Sequence, residues 1–85
     1  MHPRDLPISI ASAAFGRYSV EIGEDDKGRL CARRGDGVRM PVHVLMLDGK
    51  AWIAGMYVLT LCDAFAIDQN NFYADAQAVR AEQAG

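Results

Sequence analysis

The most regular hydrophobic pattern in the chain begins at Arg17. Tyr18, Val20 and Ile22 alternate with Arg17, Ser19 and Glu21, the period of two that marks a strand with one face buried. The polar, glycine-bounded stretch GEDDKG follows, and alternation resumes over Arg29–Arg33 with Leu30 and Ala32 as the apolar positions. The pattern predicts a hairpin of strands over 17–22 and 29–33. Its solvent face carries Arg17, Ser19, Glu21, Arg29, Cys31 and Arg33. A second turn falls at Arg34-Gly35-Asp36-Gly37, where glycine reaches positive φ at little cost and Asp favours turns.

A third strand is predicted over 38–47. Val38, Met40, Val42, Val44 and Met46 form one face, with Arg39, Pro41, His43, Leu45 and Leu47 on the other. Pro41 has no N–H to donate, which puts the start of this strand at a sheet edge or bulge. Beyond His43 both faces are apolar, so the later half is expected to be buried on both sides. Asp48-Gly49 is a strong two-residue hairpin signal and predicts a fourth strand over 50–54. The competing reading uses Asp48 as the N-cap of one long helix; Trp52, Ile53, Tyr57, Val58 and Thr60 weigh against it. A buried helix is expected near 56–66, and Gly55 can break either element.

The ends of the chain are simpler. Pro3 and Pro7 make residues 1–7 a loose arm. Residues 8–15 fit a short helix or a strand, and Ile8 and Ile10 tip the reading towards a strand or irregular segment. The alanine-rich C-terminus, with Phe72, Ala76 and Val79 on one face, predicts a helix near 71–83 capped by Asp68, Asn70 or Asn71. The expectation is a single α+β domain over 1–85: a three- or four-stranded antiparallel sheet with both helices packed on one face.

Composition narrows the function classes. Half of the 85 residues are hydrophobic (51%) and 24% are charged, which is the balance of a folded chain rather than a disordered one. The longest uncharged apolar run, Ala51–Cys62, falls short of a membrane span. Ala11-Ser12-Ala13 has the form of a cleavage site, but Pro7, Ser9 and Asp5 interrupt the stretch before it. Two cysteines, Cys31 and Cys62, are too few for a disulfide scaffold and lack metal-site spacing. A soluble, cytoplasmic protein with reduced thiols is expected.

Charge is unevenly distributed. Glu21, Glu24, Asp25 and Asp26 form an acidic patch, and Arg29, Arg33, Arg34 and Arg39 follow it closely. Arg17, Arg29, Arg33, Arg34, Arg39 and His43 are the candidate partner-binding residues. Arg17, Arg29, Arg33, Arg39 and His43 as a stripe on one sheet face, with Arg34 in the adjoining loop, suit phosphates and make nucleic acid the main alternative ligand. The acidic net charge of −2 and the lack of an aromatic on that face weigh against it. Arg34-Gly35-Asp36 has the form of an adhesion tripeptide but lacks the secretion signal and disulfides of an extracellular setting. EDDKG lacks the alternating oxygen ligands and later glutamate of a calcium loop.

Catalytic candidates are few. On the strand reading Cys31 and His43 share a face, which makes a thiol-dependent enzyme the second alternative. No P-loop, dinucleotide or zinc-protease motif occurs. No catalytic, cofactor-binding or metal-ligating residue is therefore assigned, and no cofactor is expected. The reading preferred is a non-enzymatic protein–protein interaction module (adaptor, inhibitor or accessory subunit) that self-associates or binds another protein. A small sheet with a strand apolar on both faces invites a covering partner or a symmetric mate. Met40, Met46, Met56, Trp52 and Tyr57 are residue types found at adaptable interfaces, with core the expected place for Trp52 and Met56.

Overall fold

A computed structural model describes residues 4–84. Their order is β1 (Leu6–Pro7), α1 (Ile8–Gly16), β2 (Val20–Glu24), β3 (Leu30–Arg34), β4 (Arg39–Pro41), β5 (Leu45–Leu47), β6 (Lys50–Ile53), α2 (Gly55–Ala64) and α3 (Gln69–Ala84). The α+β class is as the sequence pattern predicts. The sheet, however, is divided: β2-β3-β4 form one antiparallel sheet and β1-β6-β5 another.

The division falls inside the strand predicted over 38–47. β4 ends at Pro41, which lies opposite Cys31 with its nitrogen turned to the open edge, where the missing N–H costs the ladder nothing. Val42, His43 and Val44 carry the chain across to β5 in the second sheet. Val42 is buried and its N–H still reaches the carbonyl of Leu30, so the crossing is tied to the first sheet. Asp48 and Gly49 both take positive φ, 52° and 74°, as the two central residues of a type I′ hairpin turn do. This geometry excludes the long helix from Asp48. The strand-then-helix reading holds, with helix from Gly55.

Residues 8–15 are helical, not extended. Ile10, Ala11, Ala14 and Phe15 are all buried. Their spacing is that of a helix stripe, and it outweighs the Ile8/Ile10 alternation. Residues 4–7 are not a loose arm. Leu6 pairs with Ile53 and Pro7 with Trp52, while Asp5 Oδ1 accepts the Gly55 N–H at 2.7 Å. Tyr73 donates its hydroxyl to the Arg4 carbonyl at 2.8 Å. Met1–Pro3, the rest of the predicted arm, lie outside the described residues.

Side chains from every layer meet in one core. Phe15 of α1 stacks on Phe72 of α3 with ring centroids 4.3 Å apart. Val20 and Ala32 enter from the first sheet, Leu6 and Ile53 from the second, and Val58, Leu61 and Cys62 from α2. Burial pushes the Cys62 thiol up to about 11. Among the C-terminal capping candidates it is Asp68 that serves, accepting the Asn71 N–H at 2.9 Å. The α2 terminus closes with Ile67 N–H on the Cys62 carbonyl and Ala66 N–H on the Asp63 carbonyl. This is a Schellman motif, with Ala66 at φ 56° where glycine usually sits.

Candidate functional site

The register of the first sheet decides where each arginine goes. Glu21 lies opposite Arg33 and Arg33 opposite Arg39. Directly paired residues share a face, so these three form one row. Arg33 Nη2 bonds Glu21 Oε1 at 2.8 Å, and that hydrogen bond raises the Arg33 pKa. Acid and base thus neutralise one another within the row. Arg39 and Arg33 stand side by side as a directly paired couple in this row.

The other arginines are engaged elsewhere. Arg17 follows α1 and reaches across to α3, 3.3 Å from Asp75 and 2.7 Å from Glu82. Tyr18 donates its hydroxyl to the same Asp75, which holds that carboxyl below its usual range. Arg34 belongs to the opposite sheet face, with Val20 as its cross-strand partner. Its Nη1 donates to the Phe65 carbonyl at 2.7 Å, while Nε and Nη2 hold Asp36. Its guanidinium lies over the Phe65 ring, 5.4 Å from the centroid. Phe65 is the C-cap of α2, so Arg34 satisfies a helix-end carbonyl and opposes the dipole there. The tripeptide Arg34-Gly35-Asp36 is an internal clamp, with Asp36 also accepting the Val38 N–H.

Arg29 joins the acidic patch. Asp25 Oδ1 accepts the N–H groups of Lys27 and Arg29, both at 2.9 Å, and its other oxygen stands 3.7 Å from the Arg29 guanidinium. The backbone hydrogen bond from Arg29 leads the lowering of the Asp25 pKa. Glu24 ends β2, and Asp26 sits exposed in the same turn. The patch builds a turn and does not gather into a cation site. Among the described residues no group of three or more metal-binding side chains comes together.

An open cleft of about 770 Å³ lies beside this turn. Asp25, Asp26, Lys27, Arg29, Arg39 and His43 supply its polar lining, over Leu30, Cys31, Met40, Pro41, Val42 and Val44. His43 is exposed with its ring edge on Tyr57, 5.0 Å between centroids, and Tyr57 donates its hydroxyl to the Pro41 carbonyl. Cys31, expected on the solvent face, is buried at 8% exposure. Cys31 is therefore largely covered at the floor of the cleft, which corrects the picture of a surface thiol beside His43. The candidate residues Arg29, Arg39 and His43 line the cleft; Arg17, Arg33 and Arg34 do not.

The largest departure from expectation is at β5. Leu45, Met46 and Leu47 are 50%, 64% and 41% exposed, and Met56 is 85% exposed. The apolar half of the predicted long strand is therefore uncovered rather than buried on both sides. Met56, expected in the core, is on the surface at the start of α2. Trp52 is half-buried.

No family model, curated protein or solved structure matches the chain.

Sheet edges supply the clearest contrast. Proteins blunt exposed edges with charge or proline because unpaired backbone groups recruit other strands. Of the four edge strands described, β1 ends in Pro7, β2 carries Glu21 and Glu24, and β4 carries Arg39 and Pro41. β5 is Leu-Met-Leu, with none of these. Its register sets Leu47 opposite Lys50, Met46 opposite Ala51 and Leu45 opposite Trp52. Residues flanking a type I′ turn exchange hydrogen bonds, and the next pair does not. The N–H and C=O of Met46 consequently point away from β6, towards the open edge.

The apolar run over 44–47 is legible in the sequence as an invitation to a partner, but alternation alone reads it as interior. The signal that distinguishes it is Pro41: a strand broken there leaves Leu45–Leu47 on a short hairpin, away from the sheet that would cover both faces.

Proposed function

We propose that this chain is a non-enzymatic protein-binding module whose contact is the open edge of β5. The observation that carries this reading is the unblunted edge: three exposed apolar residues with the Met46 backbone turned outward. An extended segment added there gains main-chain hydrogen bonds, while Leu45 and Leu47 on one face and Met46 on the other supply side-chain contact. Exposed clustered apolar side chains of this kind mark interaction surfaces.

The alternative of nucleic-acid binding through a basic face draws less support. Arg17, Arg33 and Arg34 each hold a carboxylate partner, and a phosphate would have to displace it. No helix among the described residues is long and apolar enough to cross a membrane, and the exposed apolar residues are on a strand edge.

Panning the protein against a library of random extended peptides tests the reading. Uncharged, β-prone peptides are expected to be enriched and to shift the amide resonances of Val44–Leu47. Failure to enrich any peptide, or peptides that map to the Arg29–Arg39–His43 cleft instead, would overturn it. Binding to DNA or RNA at about 50 mM salt that weakens by orders of magnitude at about 200 mM would favour the basic face.

A further inference from the structure

We infer that the strand taken up by the β5 edge is the β5 edge of a second copy of this chain, giving a two-fold dimer with one continuous six-stranded sheet. The inference rests on the reading of β5 as the binding edge and adds the identity of the occupant.

Self-complementarity carries it. Leu45-Met46-Leu47 reads the same in both directions. A two-fold axis through Met46 therefore pairs Leu45 of each copy with Leu47 of the other, and Met46 with its own mate. Because the Met46 N–H and C=O point outward, the central pair is the one that exchanges two hydrogen bonds. An axis of this kind gives the isologous contact of a closed dimer, in which both edges are consumed. The strand order becomes β1-β6-β5-β5-β6-β1, and no unprotected apolar edge remains.

Charge agrees with this register. Residues 42–47 contain no Asp, Glu, Lys or Arg, so identical strands meet without like-charge repulsion. Continuing the register places Asp48 of one copy opposite Val44 of the mate, next in sequence to His43, and Val44 and His43 both line the cleft. On the outer face Leu45 and Leu47 of the two copies form a cluster of four leucines, flanked by Trp52, the neighbour of Leu45. A contact built on three residues a side falls below the roughly 1,200–2,000 Å² of stable complexes, which puts dissociation in the micromolar-to-millimolar range.

Sedimentation velocity from about 1 µM to about 1 mM spans that range. The mass is expected to rise with concentration from 9.3 kDa towards twice that value. Met46→Pro is the deciding variant. It removes an N–H that the hairpin's own ladder does not use, and proline is tolerated at such an edge position; the dimer should be lost while the circular dichroism spectrum is kept. Met46→Lys, which sets two ammonium groups on the axis, should weaken dimerisation by about tenfold or more. A chain that remains monomeric at about 1 mM overturns the inference, as does a dimer indifferent to Met46→Pro. The peptide experiment separates the two levels. A monomer that still binds peptides at Val44–Leu47 keeps the binding edge and loses the second copy; a monomer that binds none loses both.

Discussion

Two tight turns in this chain have opposite fates. The Arg34–Val38 turn is rich in charge and is entirely engaged: Arg34 holds Asp36 and the Phe65 carbonyl, and Asp36 holds the Val38 N–H. The Asp48-Gly49 turn closes a hairpin of apolar residues and leaves them uncovered, with Met46 64% exposed. Charged groups that look available in a sequence are often spent on one another, because an arginine near a helix end and a carboxylate finds both. Apolar groups that look like core can be stranded outside when the chain breaks before it reaches the cover. In this molecule the prominent chemistry is internal, and the quiet segment faces outward.

That contrast can be broken from the anchored side first. Phe65→Ala removes a buried ring on which Arg34 rests and should cost about 3–5 kcal/mol in denaturant unfolding. Arg34→Ala leaves the Phe65 carbonyl without its side-chain donor and should cost about 1.5–3 kcal/mol, the range for hydrogen bonds to charged groups. Arg34→Lys should recover little of this, since lysine lacks the fork that spans both acceptors. If either Arg34 variant unfolds like the parent, the turn is not anchored as described.

The same clamp predicts a pH dependence. The hydrogen bond from Arg34 holds the Asp36 carboxyl below its usual range, and Asp25 and Asp75 are lowered by their own hydrogen bonds. A depressed carboxylate stabilises the fold above its unfolded pKa, and that stabilisation fades as pH falls through the folded value. Thermal stability should therefore drop below about pH 4. The alkaline side carries the opposite shift. Tyr18 is pushed up to about 12, chiefly by its hydrogen bond to Asp75, and Cys62 to about 11 by burial. Both favour the folded state in their neutral forms, so stability should fall again as pH rises beyond about 9–10. Melting curves across pH check both limbs; a flat acid limb would contradict the Asp36 clamp.

Smaller effects sharpen the comparison. Ala66→Gly relieves a left-handed residue and should raise stability by about 0.5–1 kcal/mol, read as a higher denaturant midpoint. Leu45→Ser, measured at low micromolar concentration, should change stability by no more than about 0.5 kcal/mol, because the side chain is half exposed. A loss as large as that of Arg34→Ala would mean that β5 is part of the core.

Local patterns were the legible part of this fold. The first hairpin, the Asp48-Gly49 turn, the start of α2 and the C-terminal helix follow from period, turn residues and caps that lie within a few positions of one another. The strand predicted from Arg17, however, begins only at Val20, after a turn in which Ser19 takes φ 63°. Division into two sheets was not legible, since it depends on which strands pair at long range, and alternation over 38–47 reads the same whether or not the chain crosses between sheets. Residues 8–15 misled for a related reason: two isoleucines at a spacing of two match a strand, and only burial of Ala11, Ala14 and Phe15 shows the helix face. Of the candidate site residues, Arg29, Arg39 and His43 do meet at a cleft. Arg17 and Arg34 found partners 58 and 31 residues away, at Asp75 and Phe65, distances over which a sequence pattern carries no information.

The stitched N-terminal segment has a consequence for how the chain comes together. Leu6 must find Ile53, and Arg4 must find Tyr73, whereas the hairpins close over a handful of residues. Closing such long loops is entropically slower than closing local ones. During synthesis, residues 4–7 are made long before residues 53 and 73 exist, and have nothing to pair with until then. The second sheet can be completed only when its earliest strand receives one of the latest, so β1 is the piece that waits.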